Sequence, residues 1–189
     1  MLELTENEKT LLLQIARATV HAYLSNGTRY EVNPSTLTEN LKQNGACFVT
    51  LTKNGALRGC IGSLLAYQPL YKDVQNHALE AAIEDYRFNP VNIRELPGLV
   101  IEISILTPPA KVEYTNPQEL KSKLRPGVDG VTISFGHDRA TFLPQVWEEL
   151  PTHEEFLGHL CRKMGYPITF WKDEHLEVEI YQVIHFQEH

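Results

Sequence analysis

Apolar residues recur along this chain with two periods, near 3.6 in some stretches and 2 in others, and each period places an element. Thr5-Glu6-Asn7-Glu8 has the Thr-x-x-Glu spacing of a capping box, and Leu11, Leu12, Ile15, Ala18, Thr19, Ala22 and Tyr23 follow at helical intervals. Ser25-Asn26-Gly27 closes that helix with residues that accept a left-handed cap. Pro34 is placed to open a short second helix through Leu37 and Leu41. Cys47-Phe48-Val49-Thr50-Leu51-Thr52 reads as a strand. Lys53-Asn54-Gly55 then makes a tight turn, because Asn-Gly tolerates the positive φ of a primed hairpin. The returning strand carries Leu57-Arg58-Gly59-Cys60-Ile61-Gly62. From Pro69 a helix is expected to about Asp85, burying Leu70, Val74, Ala78 or His77, Ala81 and Ala82, and Pro90 prevents its continuation.

Leu99–Leu106 is the clearest strand, its odd positions apolar and Glu102 and Ser104 turned together to the other face. Thr107-Pro108-Pro109 stops it. Further on come a short strand at Val112–Tyr114, a helix behind Asn116-Pro117, and a hairpin from Val131–Phe135 through Gly136–Arg139 to Ala140–Leu143. Pro144 begins a segment ending near Leu150. Thr152-His153-Glu154-Glu155 is a second capping box, and Phe156, Leu157, Leu160 and Met164 face the core before Gly165. Leu176–Ile184 reads as one final strand. Hairpins and helices alternate without a βαβ rhythm, which predicts an α+β fold of mostly antiparallel sheet flanked by helices. There is no repeat, linker or low-complexity tract; any lobe boundary would lie in a proline-rich loop such as 107–117.

Composition narrows the classes. The 189 residues suit one large domain or two small lobes, and 42% hydrophobic with 22% charged residues is ordinary globular usage. No apolar run approaches the ~18 residues of a membrane span, and the acidic, polar start from Met1 to Glu8 is unlike a signal peptide. Cys47, Cys60 and Cys161 are too widely spaced for a disulfide framework or a CxxC site, so reduced thiols in a cytoplasm are expected. A net charge of −7 argues against broad nucleic-acid binding, leaving at most a local basic pocket around Arg58 and Arg87. Trp147, Phe170 and Trp171 stand apart from basic clusters and make no stacking platform.

The chemistry concentrates in the Leu57–Gly62 stretch. A cysteine reacts as its thiolate, which a neighbouring cation favours. Arg58 and Cys60 are two apart and share a face on a regular strand, and Gly59 and Gly62 would let N–H groups converge on an anion. Against this stands Cys60 as a small buried residue in a tight turn. Asp85 and Arg87, with Phe88 as a buried anchor, either offer a carboxylate and a guanidinium to an anionic or amide-bearing ligand or form an internal salt bridge. Glu102 faces solvent by default, or else a cleft. His77 and His137 are candidates for a general base that spacing does not separate. The pairs His153 and His159, and His185 and His189, lack a third ligand, so no metal and no cofactor are expected there; Cys47 and Cys161 read as packing.

These motifs resemble the AMMECR domain, called AmmeMemoRadiSam system protein A in prokaryotes. The resemblance rests on Phe48-Val49-Thr50-Leu51, Gly55-x-Leu57-Arg58-Gly59-Cys60-Ile61-Gly62, Ala81-Ala82, Asp85-x-Arg87-Phe88, Pro90, Glu95-Leu96 and Glu102–Thr107. It resumes at Gly127-x-Asp129-Gly130-Val131, Phe142–Val146, Phe156-Leu157 and Lys163-x-Gly165. The chain departs from the family at Asn89 and Met164. The resemblance implies a single domain over residues 1–189, built of two packed lobes with the Arg-Gly-Cys segment in a cleft between them. It carries no assigned reaction. Its name implies association with a Memo-like protein and a radical SAM protein. Two readings follow: an enzyme or enzyme subunit with Cys60 as the reactive thiol, Arg58 beside it and Asp85, Arg87 and Glu102 holding a small polar or anionic substrate; or a non-catalytic module that binds a ligand or protein. RNA binding is a weaker third.

Overall fold

A computed structural model describes residues 4–188 of the chain. Met1–Glu3, part of the acidic N-terminal stretch, and His189, one of the terminal histidines, lie outside the described residues. The fold is α+β and divides into two compact units, one comprising residues through Leu106 with the segment from Ile184, the other Thr107–Val183.

In the first unit, α1 (Glu6–Asn26) begins on the expected capping box: Thr5 accepts from the Glu8 N–H while the Glu8 carboxylate accepts from Thr5. It ends on Gly27 at φ 69°. The helix expected from Pro34 is broken in two. A 3-10 turn at Pro34–Thr36 gives way to an extended Leu37, and α2 (Glu39–Lys42) starts afresh. Leu37 and Leu41 are both buried, so each short turn delivers one leucine to the core. β1 (Asn44–Lys53) and β2 (Ala56–Gly62) form the expected hairpin, with Asn54 at φ 52° and Gly55 at φ 78° between them. β3 (Gln68–Pro69) pairs with the start of β1 and leads directly into α3 (Leu70–Ile83). β4 (Leu99–Leu106) lies antiparallel on the other side of β1. The core packs α1 and α3 on one face of this sheet, with Leu12, Ala16, Val74, Ala78, Val49, Leu51, Ile101 and Ile103 fully buried; each large aliphatic among them contributes ~1.5–3 kcal/mol.

The second unit holds β5 (Ala110–Lys111), α4 (Pro117–Lys123), β6 (Gly130–Phe135), β7 (Asp138–Phe142), α5 (His153–Met164), α6 (Phe170–Asp173) and β8 (Glu177–Tyr181). The strand expected at Val112–Tyr114 lies two residues earlier, as β5. Its sheet runs β5-β8-β6-β7, all antiparallel, over a separate core of Trp147, Phe156, Leu157, Leu160 and Trp171. Trp147 stacks on Phe156 at 3.7 Å between ring centroids, and its Nε1 donates to the Asp129 carbonyl.

The single strand expected over Leu176–Ile184 is two. β8 belongs to the second sheet, and β9 (Val183–Gln187) joins the first beside β4. The break is at Gln182, whose N–H donates to Thr107 Oγ1 and whose carbonyl accepts from the Thr107 N–H. Thr107 and Gln182 both belong to the second unit.

Candidate functional site

β2 is the edge strand of its sheet, and the Leu57–Gly62 motif occupies most of it. Its register slips once: Leu57 faces Thr52 and Gly59 faces Leu51, leaving Arg58 as an extra residue. A bulge re-aims the side chain it carries. Arg58 and Cys60 are therefore not neighbours on one strand face, as regular alternation implied. The guanidinium is directed to Glu95, with Nε and Nη2 donating to its two carboxylate oxygens at 3.2 Å each. Lys53 Nζ reaches the same carboxylate at 3.1 Å, and Asn92 donates to it from its N–H and side chain. Hydrogen bonding from Arg58, then Lys53, outweighs burial and holds the Glu95 carboxyl down at about 2.

Edge strands expose unpaired N–H and C=O groups. At Cys60 both are taken. The N–H donates to Asp85 Oδ2 at 2.8 Å, and Arg87 Nη2 donates to the carbonyl at 3.3 Å. Asp85 and Arg87 are themselves paired, Nη2 to Oδ2 at 2.7 Å and Nε to Oδ1 at 2.9 Å. The Arg87 hydrogen bonds hold the Asp85 carboxyl well below the usual carboxylate range despite burial, and Asp85 in turn raises the guanidinium. The two side chains thus bond to this strand as a further strand would. The amide they grip is the protein's own. Phe88, expected as a buried anchor, is half-buried, with the Arg87 and Arg58 guanidinium carbons 5.6 and 6.0 Å from its ring centroid.

The glycines serve close packing. A Cβ at Gly59 would lie 2.1 Å from the Ala81 carbonyl oxygen of α3, and one at Gly62 would meet the Phe48 ring and the Cys47 carbonyl. Small residues at Ala78, Ala81 and Ala82 of α3 are what allow this strand and helix to approach backbone to backbone.

Cys60 is half-buried, and its sulfur accepts from Thr50 Oγ1 at 3.3 Å. Thr50 pairs with Cys60 on β2 and with Glu102 on β4, so thiol, hydroxyl and carboxylate form a row across three strands on the face away from the core. Glu102 is half-buried on that face, 42 residues from Cys60 in sequence. Cys161 is buried and reads as packing, as expected; burial raises its thiol. His137 occupies the β6–β7 turn and His153 contacts the Leu124 carbonyl, both within the second unit, whereas the motif belongs to the first.

Three participants escaped sequence reasoning: Glu95 as the partner of Arg58, Thr50 as the neighbour of the thiol, and a meeting of Cys47, Asp73 and His77 inside the first unit. Glu95 left one signal, its place among the residues that carry the family resemblance.

An α+β chain with a Leu-Arg-Gly-Cys-Ile-Gly edge strand held by an Asp-x-Arg clamp is the class defined by these features. The AMMECR1 family model matches residues 13–186, and the chain belongs to that family. Protein MJ0810 of Methanocaldococcus jannaschii is 35% identical over 98% of this chain and 92% of its own length. A protein of Methanothermobacter thermautotrophicus is 37% identical over 98% and 96%. The crystal structure of PH0010 from Pyrococcus horikoshii superposes with a TM-score of 0.80 at 35% identity, covering 94% of this chain and 90% of that one.

Proposed function

We propose that this AMMECR1-family protein is a binding subunit whose protein partner docks along β2 and the loops at its ends. The observation that carries this reading is that the polar groups of the motif satisfy one another. Arg58 is neutralised by Glu95, and Asp85 and Arg87 are engaged with each other and with the Cys60 backbone. Each of these charges is held by a partner within the protein, with Lys53 sharing the Glu95 carboxylate with Arg58. What the same region offers outward is apolar: Leu57 on β2, Leu64, Leu65 and Tyr67 on the loop that leaves it, and Tyr86, 94% exposed, between the two clamp residues. Exposed aromatic and aliphatic side chains beside a rigid edge are the usual anchors of a protein interface. The partner proposed is a Memo-like protein, with a radical SAM protein as the next to examine.

Titrating a purified Memo-like protein from the same genome against wild-type and variant chains tests this. Leu65→Lys and Tyr86→Ala should each weaken binding at least about tenfold, equivalent to ~1.4 kcal/mol, while Cys60→Ser retains wild-type affinity. Absence of binding by wild type to either partner, or loss on Cys60→Ser alone, would overturn it.

A second reading, a catalytic or redox role for Cys60 on a small polar substrate, draws support from one contact, the Thr50 hydroxyl donating to the sulfur. It requires that Cys60 label selectively and that Thr50→Val slow the labelling. Labelling of Cys60 at the rate of a free thiol, unchanged by Thr50→Val, counts against it.

A further inference from the structure

On the core side of β1, away from Cys60, three side chains of metal-binding type meet. Asp73 and His77 are four apart on α3 and so share a helix face, and Cys47 of β1 points at them. All three are buried, at 0%, 4% and 0% exposure respectively. His77 Nδ1 lies 3.2 Å from Asp73 Oδ2 and 3.8 Å from Cys47 Sγ, and the three donor atoms are all within 4.8 Å of one another. A tetrahedral zinc with bonds of ~2.3 Å to sulfur and ~2.0–2.2 Å to nitrogen and oxygen spaces its donors by about 3.3–3.6 Å. The cluster is therefore close to the geometry it would have around an ion.

The surroundings match as well. A ligating histidine commonly turns its second ring nitrogen to a carboxylate, which sets the tautomer. His77 Nε2 faces Glu80 Oε2 at 3.8 Å. Asp73 is steadied by the Gln68 amide, which donates to Oδ1 at 2.8 Å, and by the Cys47 N–H, which donates to Oδ2 at 2.9 Å. The same Gln68 amide donates to the exposed Tyr67 hydroxyl, so one side of the cluster is a single side chain from solvent.

We infer that Cys47, Asp73 and His77 form a binding site for a divalent, thiophilic cation, zinc by its donor set, with a water as fourth ligand. On binding, the Cys47 sulfur forms the bond to the metal and its proton passes to solvent. Asp73 contributes a carboxylate lone pair, and His77, whose Nδ1 faces that carboxylate, shifts its ring proton to Nε2 beside Glu80 so that Nδ1 offers its lone pair. The ion would pin the start of β1 to the middle of α3, independently of the docking edge on β2.

The test uses the full chain, reduced and freed of metal by chelator. It is titrated with zinc and with cobalt(II), both as folded and after refolding with the ion present, so that a closed entry path does not hide the site. One ion per chain, a raised Tm and a thiolate-to-cobalt charge-transfer band in the near ultraviolet are expected. Cys47→Ser should abolish that band and Cys60→Ser should keep it, while Glu80→Gln weakens affinity about 10–100-fold. Failure of wild type to bind one ion under either protocol overturns the site, as does a band that survives Cys47→Ser and disappears in Cys60→Ser.

Discussion

Asp85→Asn is the substitution that most directly probes the clamp on β2. Asp85 accepts four hydrogen bonds, from the Cys60 N–H, the Arg87 N–H and two guanidinium nitrogens, and its side chain is 2% exposed. The amide keeps one acceptor oxygen and turns an NH2 group towards donors. At least two charge-assisted bonds are lost, each ~1.5–3 kcal/mol. Arg87 is 43% exposed and keeps its hydration, which trims the penalty of stranding its charge. The net cost is about 2–4 kcal/mol, or a fall in Tm of about 5–15 °C for a chain of this size. Urea unfolding measures the first and calorimetry the second. Hydrogen exchange supplies a local readout, since the Cys60 amide is bonded to Asp85 and should lose protection in the variant. The pH dependence has a defined sign. A carboxyl held below its ordinary 3.8 contributes stability in full above that pH and loses it as the pH falls further. The gap between wild type and Asp85→Asn should thus be constant near neutrality and narrow below about pH 4. A variant within about 0.5 kcal/mol of wild type, with the Cys60 amide as protected as before, would refute the clamp.

Gly59→Ala should cost about 3 kcal/mol or more by urea midpoint, because the added methyl meets the Ala81 carbonyl oxygen at 2.1 Å and that atom is backbone. Gly98→Ala, with nothing within 4 Å of the new Cβ, is the neutral control; equal midpoints for the two would show that β2 and α3 are not in close approach. Glu95→Gln should lower stability at pH 7 by about 1–3 kcal/mol. Its carboxyl is held from 4.5 down to about 2, chiefly by Arg58, so that contribution is full above pH 4.5 and lost between 4.5 and 2. Acid titrations of wild type and variant followed by circular dichroism should converge towards pH 2; a difference that persists there contradicts the assignment.

How much of this was legible follows from the range of each interaction. The capping boxes at Thr5 and Thr152 and the Asn54-Gly55 turn were readable because donor, acceptor and backbone angle all lie within four residues. The α+β class followed from the order of the two periodicities. Asp85 and Arg87 were recognisable as a pair, since an internal salt bridge between residues two apart is also local. Their target was not, because Cys60 lies 25 residues away and is met only when α3 packs on β2. Nor was the Arg58 bulge: a pattern of alternating positions does not reveal one extra residue, and the slip is visible only against the partner strand. Leu176–Ile184 kept an unbroken strand pattern although Gln182 divides it between two sheets, because Leu176, Val178 and Ile180 pack alternately on the second core and Val183 and Ile184 continue the apolar, β-branched run into β9.

Local spacing, then, determined the capped helices α1 and α5, the β1–β2 hairpin turn, the fold class and the motif that marks the family. Tertiary packing decided what the motif's charges touch. Hydrogen bonds between distant segments are chosen by which groups are buried together, and spacing along the chain carries no record of that. Cys47, Asp73 and His77 show the same limit: only the i, i+4 relation of the last two is local, and the thiol reaches them because β1 lies against α3.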